Sequence, residues 1–285
     1  DGNVQSQAQA SGSAFAQNVN ASDAGIGTSA GAYAIGDLDV YGTSLDNADT
    51  DITIGQTGNI TGLAIVGTLN SGVLGNQVSV TSTTTDGTSY AVGEVDTAGI
   101  IGTGTSTSST PGANQSLLTA GPLDGDVIGQ SITGMAVLAN TIGSSLADDA
   151  SSSMDATIGG LQDVDILGGQ TGVNLIKGTA TGDYDSTAIS IAGDSTAVGT
   201  VTGYGIYDTS GTGNITTSGN IQAISNLLNT VVASSVAGTA TATATTTAVG
   251  LGNYNVTILG SGTVTANATG LAESTASSVA GRASS

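Results

Sequence analysis

The chain has 285 residues, of which two are basic, 22 are acidic and none is histidine or cysteine, so its formal net charge is −20. Binding to nucleic acid or to anionic membranes needs several Lys or Arg side chains, so this composition excludes both. Without His and Cys the chain lacks imidazole bases, thiol nucleophiles and the usual zinc ligands, so acid–base chemistry would have to fall to Asp, Glu94, Glu273 or Tyr. We therefore expect no enzymatic activity and no required cofactor.

Hydrophobic residues make up 38% of the chain and prolines number only two, a composition that argues against disorder. The apolar side chains are mostly small, which indicates a long, narrow core. No stretch approaches the roughly 20 apolar residues of a transmembrane helix. The opening Asp1-Gly2-Asn3 resembles a mature secreted protein whose signal peptide has been removed, so we expect an extracellular or cell-surface location.

The first 19 residues carry little apolar mass and alternate small residues, as in Gln7-Ala8-Gln9-Ala10. Residues 1–19 are therefore predicted to be an extended N-terminal segment, either a flexible tail or a strand donated to a neighbouring subunit. Residues 20–285 are predicted to form one elongated β-rich domain with irregular internal repeats.

Short strands are expected along most of residues 20–285, because β-branched residues alternate with small polar ones between Gly, Asn, Asp and Ser. Two segments have apolar residues at spacings of three and four and are predicted to be short flanking helices, at about 132–146 and 220–236. The predicted fold class is mainly β, either a β-solenoid or an elongated β-sandwich with one or two such helices.

Three pairs of segments repeat without a common period. Residues 33–39 resemble residues 90–96, residues 57–61 are identical to residues 212–216, and residues 233–238 are identical to residues 276–281. These pairs indicate decayed duplication of supersecondary units. The second copy of the last repeat runs close to Ser285, and a neighbour's N-terminus could complete it, which predicts head-to-tail polymerisation.

The [Ser/Thr/Tyr]-Ala-[Ile/Val]-Gly pieces at 33–36, 90–93, 196–199 and 247–250 resemble the coil motifs of bacterial surface adhesin heads. More broadly, the Gly/Asn/Thr/Val-rich strands resemble β-solenoid surface and fibre proteins. The resemblance implies a secreted, elongated, cofactor-free protein that acts by adhesion or assembly. It assigns no functional residue.

Aspartates recur in pairs of the form Asp-x-Asp. Residues i and i+2 of a strand share a face, so each pair can present two carboxylates to calcium. The calcium candidates are Asp37, Asp39, Asp46, Asp49 and Asp51. The alternative is that these are solvated residues that keep turns and strand edges soluble.

Six Asn-x-Ser/Thr sequons are candidates for glycan attachment, although so many are expected from the Ser and Thr content alone. They lie at Asn20, Asn59, Asn114, Asn214, Asn255 and Asn267.

Thr and Ala alternate from Thr239 before a Thr triplet ends at Thr247, which predicts a strand with one all-Thr face. Such a face could order water against ice, or be an ordinary strand surface.

These patterns favour a secreted structural subunit that forms an extracellular filament, sheath or matrix, a homopolymer held by β-strand contacts. The alternative is a surface adhesin or calcium-stiffened carbohydrate-binding module, with glycans as partners. A third hypothesis is an ice-binding protein.

Overall fold

The computed structural model shows an all-β fold, with no helix among the residues that it describes. The structure describes residues 2–18, 31–45, 52–54, 57–66, 69–70, 73–74, 78–85, 87–102, 117–120, 127–133, 139–146, 148–171 and 174–285.

The strands form three large sheets, here named A, B and C, and one small hairpin. Sheet A contains β1 (Val4–Ala10), β2 (Gly12–Asn18), β5 (Ile60–Val66), β8 (Val78–Thr84), β11 (Val127–Thr133), β12 (Ala139–Ser145), β15 (Leu175–Ser190), β18 (Asn220–Ser235) and β21 (Val264–Ser278). Sheet B contains β3 (Ala32–Leu45), β9 (Ser89–Gly102), β13 (Ala150–Gln162), β16 (Ser195–Tyr207), β19 (Ala240–Gly252) and β22 (Ala283–Ser284). Sheet C contains β4 (Ile52–Thr53), β10 (Leu117–Thr119), β14 (Asp165–Leu167), β17 (Gly213–Thr217) and β20 (Tyr254–Ile258), and β6 (Leu69–Asn70) pairs with β7 (Val73–Leu74).

The chain visits the sheets in the order A, B, C and then returns to A, so each circuit forms one coil. Every coil pairs in parallel with the next, and one column of sheet A runs Val4, Ile60, Val127, Ile176, Ile221 and Val264. The described residues form five coils and the start of a sixth. This parallel, in-register stacking is consistent with a solenoid-like fold, which is one of the two predicted architectures.

The stack is wider than it is tall. Parallel strands lie about 4.8 Å apart, so six coils span about 24 Å along the stacking axis. A strand of 15 residues such as β21 runs about 50 Å at right angles to that axis. Extension along the axis therefore requires further coils, either from more chain or from another copy.

Aliphatic side chains stacked in columns form the core. Where the three sheets meet, Ile176 of sheet A, Ile206 of sheet B and Ile166 of sheet C lie in one buried cluster. A second cluster, between sheets A and B, contains Tyr184 and Met154. Each fully buried aliphatic side chain contributes about 1.5–3 kcal/mol of hydrophobic free energy, so repeating the same column in successive coils stabilises the stack.

Glycines separate the two clusters by letting the backbones of sheets A and B approach each other. A Cβ added to Gly178 of β15 would lie 2.0 Å from the carbonyl oxygen of Gly205 in β16. The same approach occurs one coil earlier, where a Cβ on Gly129 would lie 2.2 Å from the carbonyl oxygen of Gly160. Glycine is required here because only a residue without a side chain allows this contact.

The predicted helix at 220–236 is wrong, because residues Asn220–Ser235 form strand β18. Its apolar residues occupy both faces: Ile221, Leu227 and Val231 point inward, while the outward ones are half-buried. The outward residues are Ile224, Leu228 and Val232. Since β15 and β21 flank β18, aliphatic residues are sheltered on the outer face too, and the combined pattern imitates helical spacing.

The predicted helix at 132–146 is also wrong in its described part. Strand β11 ends at Thr133 and strand β12 occupies Ala139–Ser145, while residues 134–138 lie outside the described residues. Gly143, inside β12, would place an added Cβ 2.2 Å from the carbonyl oxygen of Ser151, so this segment is a strand in close contact with sheet B.

Two of the three sequence repeats mark equivalent positions in neighbouring coils. Residues 33–39 stack on residues 90–96 in sheet B, and Ala233 stacks on Ala276 in sheet A. The identity between residues 57–61 and 212–216 has no such meaning, because Ile60 lies in sheet A and Ile215 in sheet C.

Candidate assembly surfaces

The two ends of the stack have strands that pair on one side only. In the first coil, β1, β2 and β3 pair with the second coil and with no other described strand. At the other end, β21 pairs only with β18, and β22 covers just Ala240 and Thr241 of β19. We call the strands β1, β2 and β3 the N-terminal edge, and β21 with the remainder of β19 the C-terminal edge.

The backbone groups that point away from the stack at the two edges are complementary. Inward-facing residues donate their N–H toward the following coil, as Val4 does to Asn59 and Ile221 does to Thr263. In β21 the inward-facing residues therefore aim their N–H and C=O groups away from β18. In β1 the outward-facing residues aim theirs away from β5. The backbone groups of the inward-facing residues of β21 and those of the outward-facing residues of β1 can therefore hydrogen-bond to each other as two neighbouring strands of a parallel sheet do.

The core tapers to small side chains at both edges. Inward positions of β21 after Val264 hold only Ala, Gly and Ser, and those of β1 and β2 between Val4 and Asn18 hold the same three residue types. Interior strands carry larger groups at these positions, including Tyr184 and Leu227. Sheet A therefore presents a row of small inward side chains at both ends.

A cavity of about 240 Å³ opens at the N-terminal edge. It is lined by Ser13, Ala14, Ile35, Gly36, Asp37, Leu38 and Val80. Ile35 is 69% exposed and Phe15, in the neighbouring strand β2, is 67% exposed. This end therefore presents apolar surface to solvent.

A ladder of serines links successive coils at the corner where sheet A leads to sheet B. Ser190 Oγ donates to the carbonyl oxygen of Asp148 in the preceding coil (2.7 Å) and accepts from the N–H of Gly193 (2.9 Å). Ser145, Ser235 and Ser278 make the same pair of contacts in their own coils. Each hydroxyl thus ties one turn to the coil below it.

Several aspartates act as hydrogen-bond acceptors at the corners. Asp149 and Asp194 each accept a backbone N–H from the next coil, at 2.8 and 2.7 Å. Asp165 accepts from the N–H of Asn214, and Asp163, at a φ of 53°, accepts from the N–H and hydroxyl of Thr209. The Asp163–Asp165 pair is therefore engaged within the fold.

Of the five calcium candidates, Asp37 and Asp39 lie on the outer face of β3, whereas Asp46, Asp49 and Asp51 fall outside the described residues. Asp37 stacks on Glu94 and then Asp155, and Asp39 stacks on Asp96. No group of three acidic, His or Cys side chains within the described part of the chain is arranged to hold a metal ion. Calcium binding remains a prediction.

Burial and the neighbouring carboxylates raise the pKa values of titratable groups on this acidic face. Burial, and then the charges of Asp39, Asp96 and Asp37, raise the pKa of Tyr41 to about 12. Burial, then Asp39, raises the pKa of Asp96, although a hydrogen bond from Thr157 opposes the shift. Stacked carboxylates therefore repel one another across coils 1 to 3.

The sequons differ in exposure. Asn255 and Asn267 are exposed, and Asn59 is half-buried. Asn214 is buried, and its side-chain nitrogen donates to Asp165 and to the carbonyl oxygen of Thr212, so a glycan there would break two hydrogen bonds. Asn20 and Asn114 fall outside the described residues.

The predicted all-Thr face belongs to β19, and the neighbouring strand β16 extends it into a grid. Outward residues on β19 pair with outward residues on β16, and seven of these eight are Thr. They are Thr241, Thr243, Thr245 and Thr247 on β19, opposite Thr196, Val198, Thr200 and Thr202 on β16. The grid is uncharged and adjoins the acidic face on the same sheet.

Comparisons with known proteins give no relative: no family profile, no curated protein and no solved structure matches the chain. The described part of the chain contains no helix long and apolar enough to cross a membrane.

Sequence reasoning missed the serine ladder, although its signal is present. Ser-[Ile/Val]-Ala-Gly occurs at 190–193, 235–238 and 278–281, and each copy is one corner. The last two copies belong to the exact repeat of residues 233–238 and 276–281, and the similar spacing of all three copies indicates coils of near-constant length.

Proposed function

We propose that this protein is a secreted, non-enzymatic structural subunit that self-associates along its stacking axis into an extracellular filament, sheath or matrix. The observation that carries the proposal is the pair of edges at the ends of the stack, where the described strands pair on one side only. Open edges of this kind recruit further strands unless charges, prolines or bulges block them. The resemblance to β-solenoid surface and fibre proteins agrees with this role.

Charge sets the conditions for such an assembly. A net charge of −20 makes copies repel one another, while strand pairing and apolar contact attract them. Salt screens the repulsion, with a Debye length of about 10 Å at 0.1 M, so association is expected to strengthen as ionic strength rises. Association that weakens with added salt would contradict this account.

Negative-stain electron microscopy and light scattering of the purified chain test the proposal. Ala268→Pro removes an N–H that points away from β18, so the monomer should fold while axial growth stops. Thr269→Pro removes an N–H directed at β18 and should instead destabilise the monomer. Both proteins should be produced without glycosylation, because these residues lie in the Asn267 sequon.

Filaments formed by the parent chain and lost in a folded Ala268→Pro variant would support the proposal. Circular dichroism melting establishes whether each variant is folded. A parent chain that remains monomeric at every salt concentration, or filaments unaffected by Ala268→Pro, would overturn it.

The Thr grid favours a second candidate function, ice binding. Strand geometry spaces its hydroxyl and methyl groups about 6.7 Å apart along a strand and about 4.8 Å apart between coils, in a flat uncharged array that can order water. Thermal hysteresis measures this activity. Thr245→Lys should abolish it, whereas Thr275→Lys, on the exposed face of sheet A, should not.

A further inference from the structure

We propose that β1 and β2 of one copy pair in parallel with β21 of a second copy, with Val4 next to Val264 and Asn18 next to Ser278. This inference rests on the proposed self-assembly and specifies which strands meet and in which register. The result is a head-to-tail contact, because the N-terminal edge of one copy meets the C-terminal edge of the next.

The two partners have the same length. The segment from Val4 to Asn18 and the segment from Val264 to Ser278 both connect the same two columns of sheet A in 15 residues. The second and third coils need more chain for this span, from Ile60 to Thr84 and from Val127 to Ser145. The end segments can therefore pair along their whole length without a bulge.

The inward side chains also match between the two ends of the segments. Val4 would follow Val264, and the inward positions between Val4 and Asn18 would place Ala, Gly or Ser beside Ala, Gly or Ser. The row of small inward side chains at one end of the stack would thus be continued by the row at the other end. A pairing shifted by one residue would turn Gln7 and Gln9 into this core, which opposes the shift.

The backbone ladder continues across the same junction. In the existing pairs, an inward residue donates its N–H to the next coil one residue before its column partner, as Ile221 does to Thr263. Applied to the junction, this rule directs the N–H of Ala268 to the carbonyl oxygen of Gln7. The corner column would add Asn18 above Ser278, the last serine of the ladder.

The proposed contact is confined to sheet A, in which β1, β2 and β21 all lie.

Disulfide trapping tests the register, and the chain is suited to it because it has no native cysteine. Gln7 and Asn267 are both exposed and occupy one outward column of the proposed junction. Neighbouring parallel strands place Cα atoms about 4.8 Å apart, within the roughly 4.4–6.8 Å that a disulfide needs. Within one chain these residues are about 24 Å apart, so only an intermolecular bond can form.

Gln7→Cys/Asn267→Cys should give a ladder of covalent oligomers on non-reducing gels after mild oxidation under assembly conditions. The matched control is Gln7→Cys/Thr275→Cys, whose second cysteine lies on the same face about 26 Å further along β21. It should give at least tenfold less cross-linked product. Each single-cysteine variant should give no ladder.

The outcomes separate this inference from the proposed function. Filaments by microscopy without a ladder, or equal ladders from both double variants, would overturn the register while leaving self-assembly intact. Strong dimers from the single-cysteine variants would indicate head-to-head contact and would also overturn it. The absence of any assembly in the parent chain would overturn both proposals.

Discussion

At the residue scale, small polar side chains hold the coils together by hydrogen bonds that repeat from coil to coil. The hydroxyls of Ser145, Ser190, Ser235 and Ser278 each satisfy one donor and one acceptor at a corner. A composition so rich in Ser, Thr and Asn is thus used inside the structure as well as on its surface. Carboxylates also link neighbouring coils: Asp194 accepts a hydrogen bond from the backbone N–H of Thr239.

Replacing Ser190 tests the ladder. Ser190 is buried, so Ser190→Ala leaves the carbonyl of Asp148 and the N–H of Gly193 without their partner and should lower the free energy of unfolding by about 1–3 kcal/mol. Urea denaturation measures the change. Ser277→Ala, on the exposed face of β21, is the control and should change stability by less than about 0.5 kcal/mol. Equal effects at both positions would contradict the ladder's role.

At the element scale, the decisive feature is the alternation of inward and outward residues along long parallel strands. In β18, outward aliphatic residues are sheltered by the strands on either side, so they need no helix to explain them. The same flanking explains why the outer faces of sheets A and B tolerate Thr, Val and Ile together. Helical spacing was a misleading signal because a strand in the middle of such a sheet can carry apolar residues on both faces, as β18 does.

Gly178 lies where the backbones of sheets A and B approach each other, and replacing it tests that contact. Gly178→Ala would force apart β15 and β16, since its Cβ would lie 2.0 Å from one carbonyl oxygen. We expect a loss of at least about 1–3 kcal/mol, the usual cost of overpacking. Gly260→Ala is the control, because its Cβ would lie 3.1 Å from the nearest atom, the carbonyl oxygen of Ser218, a tight contact but a much milder one than at Gly178. Thermal melts of both variants measure the difference, and equal melting temperatures would refute the close contact.

At the scale of the whole molecule, the unbalanced negative charge opposes the fold as well as the assembly. Burial raises the pKa values of Asp96, Asp183 and Asp185 above their ordinary value of 3.8. The neighbouring carboxylates Asp39, Glu94 and Asp155 add to the shift of Asp96. These groups therefore bind protons more readily in the folded chain than in the unfolded one.

It follows that stability should rise as the pH falls from 7 toward the raised pKa values, and should stop rising from this cause below about 3.8. Denaturant unfolding at a series of pH values measures this dependence. Asp96→Asn should raise stability at pH 7 and weaken the pH dependence, because it removes one of the repelling charges. Stability that falls steadily from pH 7 to pH 5 would contradict the prediction.

Much of the fold class could be predicted from the sequence, whereas the arrangement of the edges could not. Alternating β-branched residues indicated strands, and the repeat at residues 33–39 and 90–96 already contained the register of two neighbouring coils. The match between β1–β2 and β21 was invisible, because the two segments share little sequence beyond small residues. The match between the segments becomes visible only when their residues are aligned by the columns of sheet A, and only the stacked structure defines those columns.

By itself, the sequence determined that this chain would be β-rich and that it contains no histidine or cysteine, since the first follows from local periodicity and the second from composition. Only the tertiary structure decided which residues face the core, which serines and aspartates bridge coils, and where strand pairing stops. The physical reason is that pairing between parallel strands joins residues more than 40 positions apart, as Ala233 and Ala276 show. Contacts of that range are set by the register of the whole stack rather than by any local pattern.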